Sequence, residues 1–329
     1  MDVLLLGGPL FLGRHLIDSL QSAGQSVTMF NRGKTNGDLY PDVERLIGDR
    51  RDDVAALSGR SWDAAVDTSA YFPGDVRRVM EPLADAVGHY TFVSTISVYA
   101  DASTPGMDET AEVGTVDDPE MDEITGESYG PLKALAEATA EAAMPGRVAN
   151  VRPGLIVGAH DPSDRFTYWV RRMATGGEVL APDRRDMPVQ IIDGRDLADW
   201  IVRLAENKTT GVFNATGPAV PHRFDAVLDA CRTAAGNDAS ITWVDEEFLI
   251  EQKVAPWMEL PLWLPGGQGY DGLSAVDVSR ATDAGLTFRS LLDTCEDTLR
   301  WDRARHGAGM EGQLSPEREA EVLAAWKAR

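Results

Sequence analysis

The thirteen residues Met1-Asp-Val-Leu-Leu-Leu-Gly-Gly-Pro-Leu-Phe-Leu-Gly13 constrain the fold of this 329-residue chain more than any other stretch. Residues 3–6 are wholly apolar, the pattern of a parallel strand buried on both faces. A glycine-rich turn follows at once. Residues 11–20 then carry apolar side chains at Phe11, Leu12, Leu16, Ile17 and Leu20, the spacing of a helix. Strand, tight turn and helix in this order make the opening of a dinucleotide-binding βαβ unit. Gly7, Gly8 and Gly13 let the backbone approach a pyrophosphate. The free N–H groups at the helix start, around Phe11 and Leu12, would stabilise its charge.

The rest of the first half repeats the rhythm. Strands are predicted at 26–30, 43–47, 64–67, 89–94 and 147–151. Helices are predicted from Pro73, a favourable first-turn residue, and over 127–143. Strands alternating with helices at this spacing specify an α/β fold, a doubly wound parallel sheet of the Rossmann type. Past Gly154 the alternation breaks. A strand at 187–192, a helix at 196–205 and a strand at 212–214 return to the first pattern. Residues 243–269, with Trp243, Trp257, Trp263, Pro256, Pro261 and Pro265, read as irregular structure. A terminal helix over 315–326 starts on Ser315 as cap and Pro316 in its first turn. The expected division is therefore a dinucleotide-binding domain over 1–154, with returning segments near 187–215. A smaller, mixed C-terminal region over 155–329 is expected to bind substrate.

Charge narrows the partners. The formal net charge of −22 disfavours nucleic acid, because phosphates would be repelled. The surface suits a halophilic source as well as an arginine-preferring genome. No stretch is long and apolar enough for a membrane span, and Asp2 with the break at Gly7 argues against a signal peptide. Cys231 and Cys295 are too isolated for a disulfide framework, which fits a reducing cytoplasm.

The strongest chemical constellation is Thr95, Tyr129 and Lys133. Tyr129-Gly-Pro-Leu-Lys133 sets a phenol and an ammonium four residues apart on one helix face. A neighbouring cation stabilises phenolate and brings tyrosine toward the range useful for proton transfer. Thr95 follows the fifth strand, at the end where ligands bind in open parallel sheets. A lone tyrosine–lysine pair at this spacing is most often a surface feature. Behind a nucleotide-binding opening and a Ser/Thr-rich strand end, it reads as catalytic. The five histidines show no metal-ligand spacing, and no metal is expected. Tyr71, Phe72 and Trp169 are candidates to flank a substrate.

These landmarks together resemble the extended short-chain dehydrogenase/reductases, the NAD-dependent epimerase/dehydratase family. The resemblance rests on Gly7-Gly8-x-x-Phe-Leu-Gly13, Gly48-Asp49, Phe92-Val-Ser-Thr95-x-Ser-Val-Tyr99, Tyr129-x-x-x-Lys133, Arg152-Pro-Gly154 and Ile192-Asp-x-Arg-Asp-Leu-Ala198. It implies Tyr129 as general acid/base, Lys133 as its partner and holder of the nicotinamide ribose, and Thr95 as the hydroxyl orienting the substrate. It also implies Asp49 near the adenine and Pro153 and Gly154 beside the nicotinamide. Ser69, past the fourth strand, completes the expected cofactor-binding set. The sequence departs from the family in two places. Leu10 occupies the middle position of the usual G-x-x-G-x-x-G, so Gly8 would supply the flexibility. Ile96-Ser97 replaces the Asp-Glu pair of sugar-nucleotide 4,6-dehydratases, which argues against that dehydration.

An acidic residue at the end of the second strand would repel a 2′-phosphate. Asn31-Arg32 stands there instead, with Lys34 and Arg14 in the neighbourhood, so NADP is expected in preference to NAD. The expected activity is that of an NAD(P)-dependent oxidoreductase or epimerase. It would act on a hydroxyl or carbonyl of a small polar substrate, in the class of sugars and sugar nucleotides. The resemblance also allows a homodimer. The competing reading is a nucleotide- or RNA-binding module without redox turnover, since the opening and the Asn-Arg-Gly strand end also resemble plastid stem-loop RNA-binding relatives of the family.

Overall fold

The computed structural model describes residues 1–306 and 312–329. The first half runs β1 (Asp2–Leu6), α1 (Leu12–Ser22), β2 (Ser26–Asn31), β3 (Glu44–Ile47), β4 (Trp62–Asp67), α2 (Pro73–Leu83), β5 (Val87–Val93), α3 (Tyr129–Ala143) and β6 (Val148–Pro153). Next come α4 (Arg165–Thr175), α5 (Gly194–Asn207) and α6 (Phe224–Ala235). Seven parallel strands form one sheet in the order Gly211–Ala215, β6, β5, β4, β1, β2, β3. Val3, Leu4, Leu5 and Leu6 are fully buried, because α1 and α5 cover one face of the sheet while α2 and α3 cover the other. The strand order reverses between β1 and β4, which opens a crevice at the carboxyl ends of the strands.

Helix starts follow local chemistry. Asp75 accepts the Tyr71 and Phe72 N–H groups at 3.2 and 3.3 Å and so closes the start of α2 behind Pro73. Asp193 caps α5 by accepting from Arg195 N at 2.8 Å. Ser315 caps the terminal helix Pro316–Lys327 as its sequence predicts, an interaction worth about 1 kcal/mol. α3 starts at Tyr129, two residues later than periodicity suggests.

The second half departs further from expectation. The strand predicted at 187–192 is two short pieces. Pro188–Val189 pairs antiparallel with His222–Arg223, and Ile191–Asp193 pairs with Leu155–Val157. α4, α6, the helix Leu291–Ala304 and the parallel pair Glu178–Pro182 with Ser240–Val244 enclose a separate apolar core. Trp169 is fully buried there against Tyr168 and Phe224, with its indole N–H on the Pro261 carbonyl at 2.6 Å. Trp169 therefore does not flank a substrate. Trp263 is also fully buried, its N–H on Glu246 Oε1 at 2.7 Å, so this part of the tryptophan segment is core. Cys231 and Cys295 are free thiols in the same core, 3.7 Å apart. Among the described residues, no helix is long and apolar enough to cross a membrane.

Candidate active site

The β1–α1 turn depends on two glycines. Gly7 has φ +142°, and a Cβ there would lie 2.4 Å from Thr68 Oγ1. A Cβ on Gly13 would lie 2.2 Å from the Gly8 carbonyl oxygen. Leu10 needs no such exemption, since its side chain turns outward with 51% exposure. Gly8 keeps negative φ and has only Asn31 Nδ2, at 3.9 Å, near its missing Cβ. It therefore leaves an open surface rather than supplying a strained angle. No side chain caps α1, so its first N–H groups are left without a side-chain partner.

One cleft of about 750 Å³ runs across the carboxyl edge of the sheet. It is lined by Gly7, Gly8, Phe11, Leu12, Gly13, Asn31, Arg32, Lys34, Asp49, Ser69, Thr95, Tyr129, Lys133, Pro153 and Gly154, the expected catalytic and cofactor-binding set. Arg14 is not among them, because its guanidinium is held by the Pro9 carbonyl at 3.1 Å and by His160 at 3.2 Å. Tyr71 lines the cleft, whereas Phe72 is buried beneath the Arg51 guanidinium.

At one end, the Asn31 amide donates to the Gly7 carbonyl at 3.1 Å and accepts from Gly33 N at 2.9 Å. Arg32 and Lys34 stand exposed on the rim. Asp49 lies across from them, its carboxylate accepting Arg51 N at 3.1 Å.

At the other end, Thr95 Oγ1 accepts Ser97 N at 3.1 Å and so shapes the short helical turn Ile96–Val98. Tyr129 is the first residue of α3, and Gly130 brings it there. A Cβ on Gly130 would fall 1.8 Å from the Ser97 carbonyl oxygen, so only glycine lets the helix start meet this turn. Burial raises the Tyr129 phenol; the adjacent Thr95 hydroxyl opposes that shift, and Tyr71 adds to it. The rings of Tyr71 and Tyr129 lie 6.2 Å apart.

The net direction at the phenol is therefore upward, with burial outweighing the groups that would lower it. The Lys133 ammonium donates to the Val93 and Ala70 carbonyls at 2.7 and 2.8 Å. Its own pKa is brought down to about 8 by burial, with Asp67 and Glu137 pulling the other way.

Sequence reasoning passed over Arg50, Arg51 and Asp75 in the cleft wall and the buried Asp67 behind it. Arg50 makes a two-pronged contact with the fully buried Asp67 at 2.8 and 3.0 Å, and Arg51 pairs with Asp75 at 3.0 Å. Burial would raise the Asp67 carboxyl, but Arg50, Tyr90 and backbone donors outweigh it and hold the group below its usual range. The available signals were an arginine doublet just past Gly48-Asp49 and a carboxylate closing an apolar strand. Among the described residues, no three His, Cys, Asp or Glu side chains converge to hold a metal ion.

The family model described as NAD dependent epimerase/dehydratase family matches residues 3–216. A curated relative, the chloroplast stem-loop binding protein of 41 kDa b of Arabidopsis thaliana, is 24% identical over 256 residues. The match takes in 71% of this chain and 63% of that protein, so the chain spans less than two thirds of the relative's length. UDP-N-acetylglucosamine 4-epimerase from Methanobrevibacter ruminantium, solved with UDP-N-acetylmuramic acid, superposes with TM-score 0.70 at 14% identity, covering 92% of this chain and 98% of its own. UDP-glucuronic acid 4-epimerase from Bacillus cereus, solved with NAD, gives 0.66 at 14% identity, covering 93% and 100%. At such identities the superpositions speak for the fold.

Proposed function

The chain belongs to the NAD-dependent epimerase/dehydratase family, and from that premise we propose that it is an NAD(P)-dependent oxidoreductase or epimerase acting on a hydroxyl or carbonyl of a sugar-like substrate. The observation that carries the reading is the convergence of Thr95, Tyr129 and Lys133 at one end of a cleft whose other end is a glycine turn beneath an uncapped helix. The cradle fits a dinucleotide, because neighbouring atoms stand where a Cβ at Gly7 or Gly13 would intrude.

In this reading the Gly7–Gly13 turn holds the pyrophosphate and Asp49 and Ser69 flank the adenosine half. Lys133 holds the nicotinamide ribose, with Pro153 and Gly154 beside the ring. When bound, the nicotinamide supplies hydride transfer to and from a substrate carbon. Tyr129 exchanges the proton on the substrate oxygen, and Thr95 fixes that oxygen by a hydrogen bond. Burial keeps the phenol protonated near neutrality, which favours proton donation to a carbonyl. The region 155–329 encloses the substrate, with residues 1–154 as the cofactor-binding domain. The direct test is a search for co-purified dinucleotide, followed by a screen of UDP-sugars for epimerisation by product analysis and for redox turnover by nicotinamide absorbance. Absence of dinucleotide binding would sink the reading.

NADP is the preferred cofactor. Asn31 places no carboxylate at the end of β2, and Arg32 and Lys34 are exposed beside it to meet a 2′-phosphate. Arg32→Ala is expected to weaken NADP⁺ binding about tenfold, the scale of one charge-assisted hydrogen bond, and to leave NAD⁺ unchanged. Tighter NAD⁺ binding that ignores the substitution would overturn the preference.

The chloroplast relative's name favours a second reading, an RNA-binding module of the same fold. The net charge of −22 and the assembled Thr95, Tyr129 and Lys133 weigh against it. Salt-sensitive retention of a stem-loop RNA, with no turnover on any substrate, would reverse the order.

A further inference from the structure

Resting on the dinucleotide-binding reading above, we propose that Arg50 is a positioning residue that ties the adenine end of the cleft to Lys133 through the buried Asp67 carboxylate. Arg50 and Lys133 both line the cleft, near enough for their like charges to repel, and no hydrogen bond joins them directly. A continuous path of short bonds joins them. Arg50 Nη2 and Nη1 donate to Asp67 Oδ1 and Oδ2 at 2.8 and 3.0 Å. Asp67 Oδ1 also accepts Ser69 N at 3.0 Å and Ala70 N at 3.2 Å, and Oδ2 accepts the Tyr90 hydroxyl at 2.7 Å. The Ala70 carbonyl then receives Lys133 Nζ at 2.8 Å.

The next residue strengthens the arrangement. Arg51 holds Asp75, which accepts Tyr71 N and Phe72 N. Two adjacent arginines of one loop therefore fix segment 69–72 from both halves. That segment presents Tyr71 to Tyr129 and the Ala70 carbonyl to Lys133. A ligand seated against residues 49–51 acts on the donors that set Asp67. The carboxylate is saturated by rigid partners, so displacement at Arg50 is passed to the 69–70 turn instead of being absorbed by loose side chains. The two ends of the site are thereby coupled, and a dinucleotide that reaches both gains what neither half gains alone.

Arg50→Lys tests this, because it keeps the charge and removes the two-pronged contact. The intact protein is titrated with NADPH and with adenosine 2′,5′-bisphosphate, which lacks the nicotinamide half; NADH and ADP are run in parallel. Affinity for the whole dinucleotide is expected to fall about tenfold, with affinity for the half-ligand within about threefold of wild type. In a Lys133→Met background, Arg50→Lys should cause no further loss, since the path then ends on nothing. Equal losses for whole and half ligands would make Arg50 a simple adenine contact and overturn the proposal. A lower Tm with both affinities unchanged would reduce Arg50 to a fold brace and overturn it equally. If Arg50→Lys does not fold, Tyr90→Phe removes one Asp67 bond, leaves the ion pair intact and should show the same pattern at smaller size. A wild-type protein that binds no dinucleotide at all would refute the proposed function itself, a distinct result.

Discussion

Tyr129→Phe is expected to lower turnover by about a thousandfold while changing the dinucleotide Kd by less than about threefold, the signature of a group that acts on the proton alone. The substitution removes one oxygen at the start of α3 and leaves the ring against Tyr71. The pH dependence gives a second reading of the same group. Burial raises the phenol, so the acid form predominates through neutrality and the carbonyl-reducing direction should be nearly independent of pH there. The hydroxyl-oxidising direction needs phenolate, whose fraction grows about tenfold per pH unit below the pKa, so that rate should climb steadily as pH rises. Steady-state rates in both directions between neutral and alkaline pH check the sign. Residual turnover of Tyr129→Phe within about tenfold of wild type would end the assignment.

Gly130→Ala is expected to cost nearly as much without touching any reacting group. Alanine in a helix interior ordinarily gains about 1 kcal/mol over glycine. Here the added methyl would sit 1.8 Å from the Ser97 carbonyl oxygen and 2.7 Å from its carbon. Backbone cannot rotate away as a side chain can, so the first turn of α3 or the Ile96–Val98 turn must move. Either movement separates Tyr129 from Thr95. An ångström of misplacement lowers turnover about a hundredfold, and the overpacking costs about 1–3 kcal/mol, visible as a lower Tm. Gly126→Ala is the control, because a Cβ there meets nothing within 4 Å and should leave both readouts unchanged. A Gly130→Ala protein with wild-type Tm and rate would show that the close approach is not needed.

Both predictions concern residues within one helical turn, yet only Tyr129 was legible in the sequence. Phenol and ammonium at i and i+4 form a pattern that helical geometry makes meaningful wherever it occurs. Gly130 carries no such mark, since the obstacle it avoids, Ser97, lies 33 positions upstream. The same holds for Lys133. Its place on the helix could be read, but its bonds to Ala70 and Val93 could not. Arg50 and Asp67 lie on different β–α segments and meet only because β3, β2, β1 and β4 stand side by side.

The alternation of strands and helices, the glycine turn and the residue types of the cleft were all readable from the order of amino acids. Each of these depends on a local period or on the conformational range of a few neighbouring residues. The core around α4 and α6 was hidden, because its aromatic residues find partners far along the chain. Trp169, for example, docks on Pro261 and Phe224. Which buried charges are matched emerges only when the chain is folded. Taking Asp67 and Lys133 out of water is unfavourable unless hydrogen-bonding partners are brought to them, and those partners come from other strands and loops.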